Sequence, residues 1–178
     1  MQRYEDAVSR NDVLRTARLV LRRPERSDIP AIVAIANDFE VASRVARVPH
    51  PYTVADAEFF LDNVVPPDLV WAILSGERHR LVGMIGLHLD RRTRAADLGY
   101  YIARPFWGQG FATEAAAAVI AYGIGLGCPG MITADYFIDN FASGRVLRKL
   151  GFVEAGVQAQ HCLATGTARQ CIRMELPA

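Results

Sequence analysis

Apolar positions recur along this chain with two different periods, and the places where the period changes mark its elements. Residues 18–23, RLVLRR, set β-favouring apolar residues between arginines and predict a strand. The next segment, 27–38, opens on Ser27 and Asp28, carries Pro30 in its first turn and places Ile32, Ile35 and Ala36 on one face, so it predicts a helix. A proline-braced loop follows. Then comes a second helix, which Thr53 caps with Asp56 three residues on, its apolar side formed by Ala57, Phe60 and Leu61. Beyond it the period shortens: 69–74, 80–89 and 96–103 are β-rich runs separated by SGER and DRRTR, the turns of an antiparallel meander. A helix over 110–123, a strand over 131–137, a helix over 140–150 and two weaker strands near 152–160 and 168–176 complete the pattern. The order predicts an α/β or α+β domain built on a mixed sheet.

Composition narrows the class without choosing within it. At 178 residues the chain reads as one domain over 1–178, with 1–12 as an N-terminal extension, and it is long enough to bury about 70% of its unfolded surface. An apolar share of 51% and a charged share of 22% exclude disorder. The net charge of +1 leaves no basic excess for nucleic acid. No apolar run approaches the roughly 20 residues that span a bilayer, and the opening MQRYEDAVSRND is unlike a signal or transit peptide. Cys128, Cys162 and Cys171 are odd in number, widely spaced and without a CxxC pair, so they read as reduced core thiols. The expectation is a cytoplasmic protein that acts without metal, membrane or nucleic acid.

Candidate chemistry concentrates at FWGQGFATEA, residues 106–115, where Gly108, Gly110 and Ala112 form a GxGxA run between a strand and a helix. Glycines there take positive φ and let a ligand approach the backbone. The partnerless first N–H groups of the helix, with its dipole, then form an anion cradle. A tight turn explains the same residues. Of the known phosphate loops, the triphosphate type requires a Gly-Lys step that is missing. The dinucleotide type requires GxGxxG and an acidic residue about 20 positions on. Asp135 stands near that distance, but Thr113 replaces the third glycine, and Pro105, Phe106 and Trp107 lengthen the turn.

With TARLVLRRPERSDIPAIVAIAND, HPYTVADAEFFL, LVGMIGLHL, ADLGYYIARPFWGQGFATEA and DNFASGRVLRKLGFVEAG read together, nearly the whole chain resembles the GCN5-related N-acetyltransferase (GNAT) superfamily, within it the ribosomal-protein N-acetyltransferase (RimJ/RimL-like) type. The resemblance implies a single mixed, mostly antiparallel sheet, splayed between its fourth and fifth strands, with helices on both faces. It implies acetyl-CoA as co-substrate, its pantetheine arm paired with the backbone of Tyr101, Ile102, Ala103 and Arg104. The pyrophosphate would lie on the loop of Trp107, Gly108, Gln109, Gly110, Phe111, Ala112 and Thr113. Trp107 departs from the Gln or Arg that opens the family's loop pattern, a small departure because the loop works through backbone amides. Asn140 and Ser143 match the family's cofactor-contacting Asn and the small polar position after it, and Arg145 is a candidate for a CoA phosphate. Asn140 is equally a helix N-cap, and Arg145, Arg148 and Lys149 equally a solvated helix face over inward Val146, Leu147 and Leu150.

The implied reaction is direct attack of a neutral primary amine on the thioester in a ternary complex, which needs a proton acceptor and a donor for the thiolate. Asp97 is the leading base, standing where related histone acetyltransferases carry a glutamate, and an outward-facing charge is its plain alternative. His88 and Tyr52 are further candidates. Many family members use a tyrosine as acid at the position of Leu147, so Ser143 is the substitute here. The acceptor, a protein N-terminus or a small-molecule amine, would meet the loop over 38–53 with Glu40, Arg44, Arg47, His50 and Tyr52. A monomer or a homodimer is expected, the last strands offering an edge for pairing. The competing readings are a non-catalytic acyl-CoA-binding module and, further off, an NAD-dependent oxidoreductase.

Overall fold

A computed structural model describes residues 12–76, 79–90, 95–126 and 131–177. Nearly all of the expected N-terminal extension, the tips of two of the predicted hairpin turns and Cys128 lie outside the described residues. Eight strands form one sheet: β1 Leu14–Arg15, β2 Leu19–Arg22, β3 Leu69–Ser75, β4 Arg80–Leu89, β5 Ala95–Ile102, β6 Met131–Phe137, β7 Val153–Cys162 and β8 Thr167–Leu176. Their order is β1-β2-β3-β4-β5-β6-β8-β7, antiparallel throughout except for a parallel β5–β6 contact. Sequence patterning anticipates all of them but β1, which at two residues is too short to show a period.

Alternation along the strands buries both faces. Leu69, Trp71 and Ile73 of β3 join Ile85 and Leu87 of β4 under the helix α4, Phe111–Gly125. Ala72, Leu74 and Met84 face the other way, toward Ile32, Ile35 and Ala36 of α1, Ile29–Ala36, and toward Ala57 of α3, Val54–Phe59. Between these two helices lies α2, Phe39–Ala42, a single turn capped by Asp38 and unpredicted because four residues carry no periodicity. The last helix, α5, Phe141–Lys149, packs Leu147 into the first core, fully buried. Its Gly144 sits so close to Tyr136 that an added Cβ would meet the ring at 2.8 Å.

Local chemistry places these helices. Thr53 and Asp56 form the expected capping box, Thr53 N–H donating to Asp56 Oδ2 at 2.8 Å and Asp56 N–H to Thr53 Oγ1 at 3.3 Å. After Phe59 the helix widens into a π-turn over Phe60–Val64, closed by Val65 N–H on Phe60 O. At the start of α1, Arg22 Nη1 and Nη2 each reach an Asp28 oxygen at 2.7 Å. Burial alone would push the Asp28 carboxyl up; the paired guanidinium outweighs it and holds the group below its ordinary value.

The site depends on one interruption. β5 and β6 pair only at Ala95, Ala96 and Asp97 with Met131, Ile132 and Thr133, although β5 runs on to Ile102 and β6 to Phe137. Past Asp97 the strands part, and the sheet opens as a wedge with α4 and α5 on one side.

Candidate active site

The open edge of β5 has a defined polarity. Ala103 N–H donates to Val82 O at 2.8 Å, which fixes the phase of the antiparallel β4–β5 ladder: Tyr101 and Gly99 also point their main-chain groups at β4, while Tyr100 and Ile102 point theirs into the wedge. Trp107, held by a 3-10 turn over Arg104–Phe106, turns its indole N–H onto Ile102 O at 2.6 Å. Its ring lies beneath the Arg44 guanidinium at 5.1 Å.

From Trp107 the chain enters α4 through Gly108, φ 75°, and Gly110, φ 81°, both in the left-handed region that glycine tolerates. Phe111, Ala112 and Thr113 then present the first-turn N–H groups that no helix can satisfy internally. Arg18 fastens this loop. Its Nη1 donates to Gln109 O at 2.9 Å, its Nε to Glu114 Oε2 at 2.7 Å, and its guanidinium lies 4.8 Å from the centre of the Phe111 ring. Thr16 Oγ1 adds a bond to Glu114 Oε1 at 2.6 Å. Burial works to raise the Glu114 carboxyl, and these donors outweigh it and hold the group low. Sequence reading missed Arg18, because its partners lie more than 90 residues away.

At the far side of the wedge Asn140 caps α5, its Oδ1 accepting from Ser143 N–H at 3.3 Å, while its Nδ2 donates to Arg44 O at 3.4 Å. Ser143 Oγ lies 2.8 Å from the hydroxyl of Tyr100, which reaches across from β5. Burial pushes the Tyr100 phenol up to about 12, partly opposed by the bond to Ser143, so it stays protonated. Tyr100 was also missed: in an alternating strand it reads as a core aromatic. Leu147, at the tyrosine position of the resemblance, belongs wholly to the core.

These parts line a cleft of about 970 Å³. Its walls include Tyr101, Ile102, Trp107, Gly108, Gly110 and Phe111 from the strand and loop, and Ala112, Thr113, Asn140, Ser143 and Arg145 from the helix ends. Ala103, Arg104 and Gln109 do not line it: Arg104 turns outward to Asp38 at 3.4 Å, and Gln109 gives its side chain to Pro105 O at 3.2 Å.

Asp97 stands where the wedge begins. Thr133 Oγ1 donates to its Oδ1 at 3.4 Å and Arg47 Nη2 lies 4.0 Å from its Oδ2. Burial, together with the charge of Asp135, raises its carboxyl above the ordinary value against the pull of Arg47, Arg173 and Thr133. Over it passes the segment 43–47, tied to the β7–β8 hairpin by Leu163 N–H on Ala46 O at 3.0 Å and by Arg169 on Ser43 O. His88, cross-strand from Asp97, lines the cleft with its Nδ1 2.6 Å from Oδ2 of buried Asp68. Tyr52 is buried, its N–H bonded to Asn37 Oδ1 at 2.9 Å, and burial pushes its phenol up to about 12.

The parted mixed sheet, the glycine-entered helix and the raised carboxyl at the point of parting open on one continuous cleft. The acetyltransferase (GNAT) domain family matches residues 18–153. The uncharacterised N-acetyltransferase YoaA of Bacillus subtilis is 32% identical over 161 residues, 87% of this chain and 90% of that protein. Among solved structures, RimJ of Mycobacterium smegmatis in complex with a CoA disulfide superposes with a TM-score of 0.77 at 20% identity, over 90% of this chain and 82% of that one. The microcin C7 self-immunity acetyltransferase MccE, bound to acetyl-CoA and AMP, gives 0.78 at 18%, over 92% and 94%. The chain belongs to the GNAT acetyltransferase family. Among the described residues, no helix is long and apolar enough to cross a membrane and no group of three or more His, Cys, Asp or Glu side chains is gathered to hold a metal ion.

Proposed function

We propose that this protein is an acetyl-CoA-dependent N-acetyltransferase that transfers the acetyl group to a primary amine by direct attack in a ternary complex. The observation that carries the reading is convergence: the unpaired edge of β5, the glycine-entered end of α4 and the raised carboxyl of Asp97 open on one cleft. Residues 108–113 would hold the pyrophosphate through backbone N–H groups, the main-chain groups of Tyr100 and the N–H of Ile102, whose oxygen Trp107 already holds, would pair with the pantetheine amides, and Asn140 and Arg145 stand beside that path. The bound thioester supplies an acetyl carbon open to attack and a thiolate leaving group. Asp97 is the base that takes a proton from the attacking nitrogen, and Ser143, oriented by Tyr100, donates toward the sulfur.

The acceptor enters on the other face of β5, between the 43–47 segment and α3. Asp56, Asp68 and Asp97 line the cleft there beside Arg44 and Arg47, so an ammonium group carried by a protein N-terminus or a small molecule would meet carboxylate partners on that side. A cytoplasmic setting fits the two free thiols of Cys162 and Cys171, both buried. The test is thiol release from acetyl-CoA against peptides with varied N-termini, amino acids, polyamines and aminoglycosides. Release with at least one class is expected. Tight acetyl-CoA binding with no release across the panel would instead support a binding module, which the buried Leu147 in place of a catalytic tyrosine would then explain.

A further inference from the structure

Three polar side chains form a row across the acceptor face of the sheet. Leu69 pairs with Leu87 in the β3–β4 register, so Asp68, one residue earlier, falls opposite His88; His88 in turn pairs with Asp97 on β5. Directly opposed residues on one face hold their Cβ atoms about 5 Å apart. The row is graded in exposure. The Asp68 side chain is 8% exposed and bonded to His88 Nδ1 at 2.6 Å, whereas the His88 side chain is 52% exposed and lines the cleft. A buried carboxylate on Nδ1 places the ring proton there and leaves the Nε2 lone pair outward. The charged groups around the imidazole are Asp68 from before β3, Asp97 from β5 and Arg47 from the overlying segment, which lies 4.0 Å from Asp97.

The reaction breaks two N–H bonds at different stages, and each loss has its own geometry. The acceptor arrives as an ammonium ion, and one N–H bond must break to give the nucleophilic lone pair. After the N–C bond forms, the adduct nitrogen is again cationic and a second N–H bond must break as the C–S bond cleaves. One proton ends on the sulfur and the other in solvent. Asp97, at the start of the wedge, serves the second loss. We infer that His88, oriented by Asp68, is the base for the first: its Nε2 takes the proton of the incoming ammonium and returns it to water at the exposed side of the cleft. This inference rests on the acetyltransferase reading and adds a catalytic residue, His88, and a positioning residue, Asp68.

The experiment measures thiol release from acetyl-CoA, corrected for the uncatalysed rate, with two small probe nucleophiles. Methylamine is almost wholly protonated at neutral pH, and hydroxylamine is largely neutral. His88→Gln is expected to lower kcat/KM for methylamine by about 100-fold and for hydroxylamine by less than about 3-fold, since hydroxylamine arrives neutral and has only the second proton, the one taken by Asp97, to lose. His88→Ala should regain methylamine activity with added imidazole, and Asp68→Asn should show a smaller loss of the same selectivity. Equal losses with both nucleophiles, or no imidazole rescue, would reduce His88 to a structural partner of Asp68 and overturn the inference. So would unchanged activity of His88→Gln. A wild-type protein silent with both probes and with the wider amine panel would overturn the acetyltransferase reading itself.

Discussion

Asp97 pays for its position in stability, and that gives its role a second signature. Its carboxyl is raised in the folded state, chiefly by burial and then by Asp135. A group with a raised folded pKa binds its proton more tightly when folded, so its contribution is present below the unfolded value, near 3.9, and is lost as pH rises through the folded value. Near neutrality the ionised Asp97 therefore works against the fold. Asp97→Asn should raise Tm at pH 7, with the gain shrinking in acid, while turnover falls by about 100-fold; thermal melts across pH and steady-state kinetics check both halves. Across the wedge, Ser143→Ala and Tyr100→Phe should each lower kcat by roughly 10-fold, less than a typical acid because a thiol near pKa 8.5 leaves readily. The double variant should lose little more than either single one, which a double-mutant cycle measures. Asp97 and Ser143 were legible as candidates because they sit in patterns that fix their neighbours. Tyr100 was not, because its meaning lies in a contact 43 residues away in sequence.

At the level of elements, the glycine-entered helix shows what pattern conveys and what it omits. The left-handed residues and the helix start follow from GxGxA after a strand, and Gly108 and Gly110 take that geometry. What sequence did not convey is the fastening by Arg18, whose bonds to Gln109 O and Glu114 set the angle at which the loop meets the cleft. Arg18→Ala is expected to weaken acetyl-CoA binding several-fold by calorimetry with only a small change in Tm, since half of this side chain is exposed. Gly110→Ala should cost about 1 kcal/mol of stability from its φ of 81° and weaken binding further, its Cβ standing 3.4 Å from Arg18 Nη2. Strands and long helices were readable because burial of one or both faces imposes a period. Elements without room for a period, β1 and α2, were not, and Phe60 and Leu61, legible as helix, sit in a π-turn over Phe60–Val64 whose widening no period reveals.

Across the whole molecule, the mixed sheet and its helices on both faces agree with the resemblance, as does the parting, which falls between β5 and β6, the fourth and fifth of the expected strands once the short β1 is set aside; the long-range ties of residues 43–47 to the β7–β8 hairpin do not follow from any local signal. A ligand that occupies the cleft binds only the folded chain, so at 100 times its Kd acetyl-CoA should add about 2.7 kcal/mol. For a chain of this size that is a Tm rise of roughly 5–10 °C, which differential scanning fluorimetry reads directly. The three residue pairs joining β5 to β6 carry a further consequence, in amide hydrogen exchange. With so short a seam, the half built on β1–β5 and the half built on β6–β8 have separate routes to local opening, and their slowest amides should exchange at different rates in the free protein. Acetyl-CoA laid along the unpaired edge would bridge the halves, and exchange of the two sets should slow together when it binds.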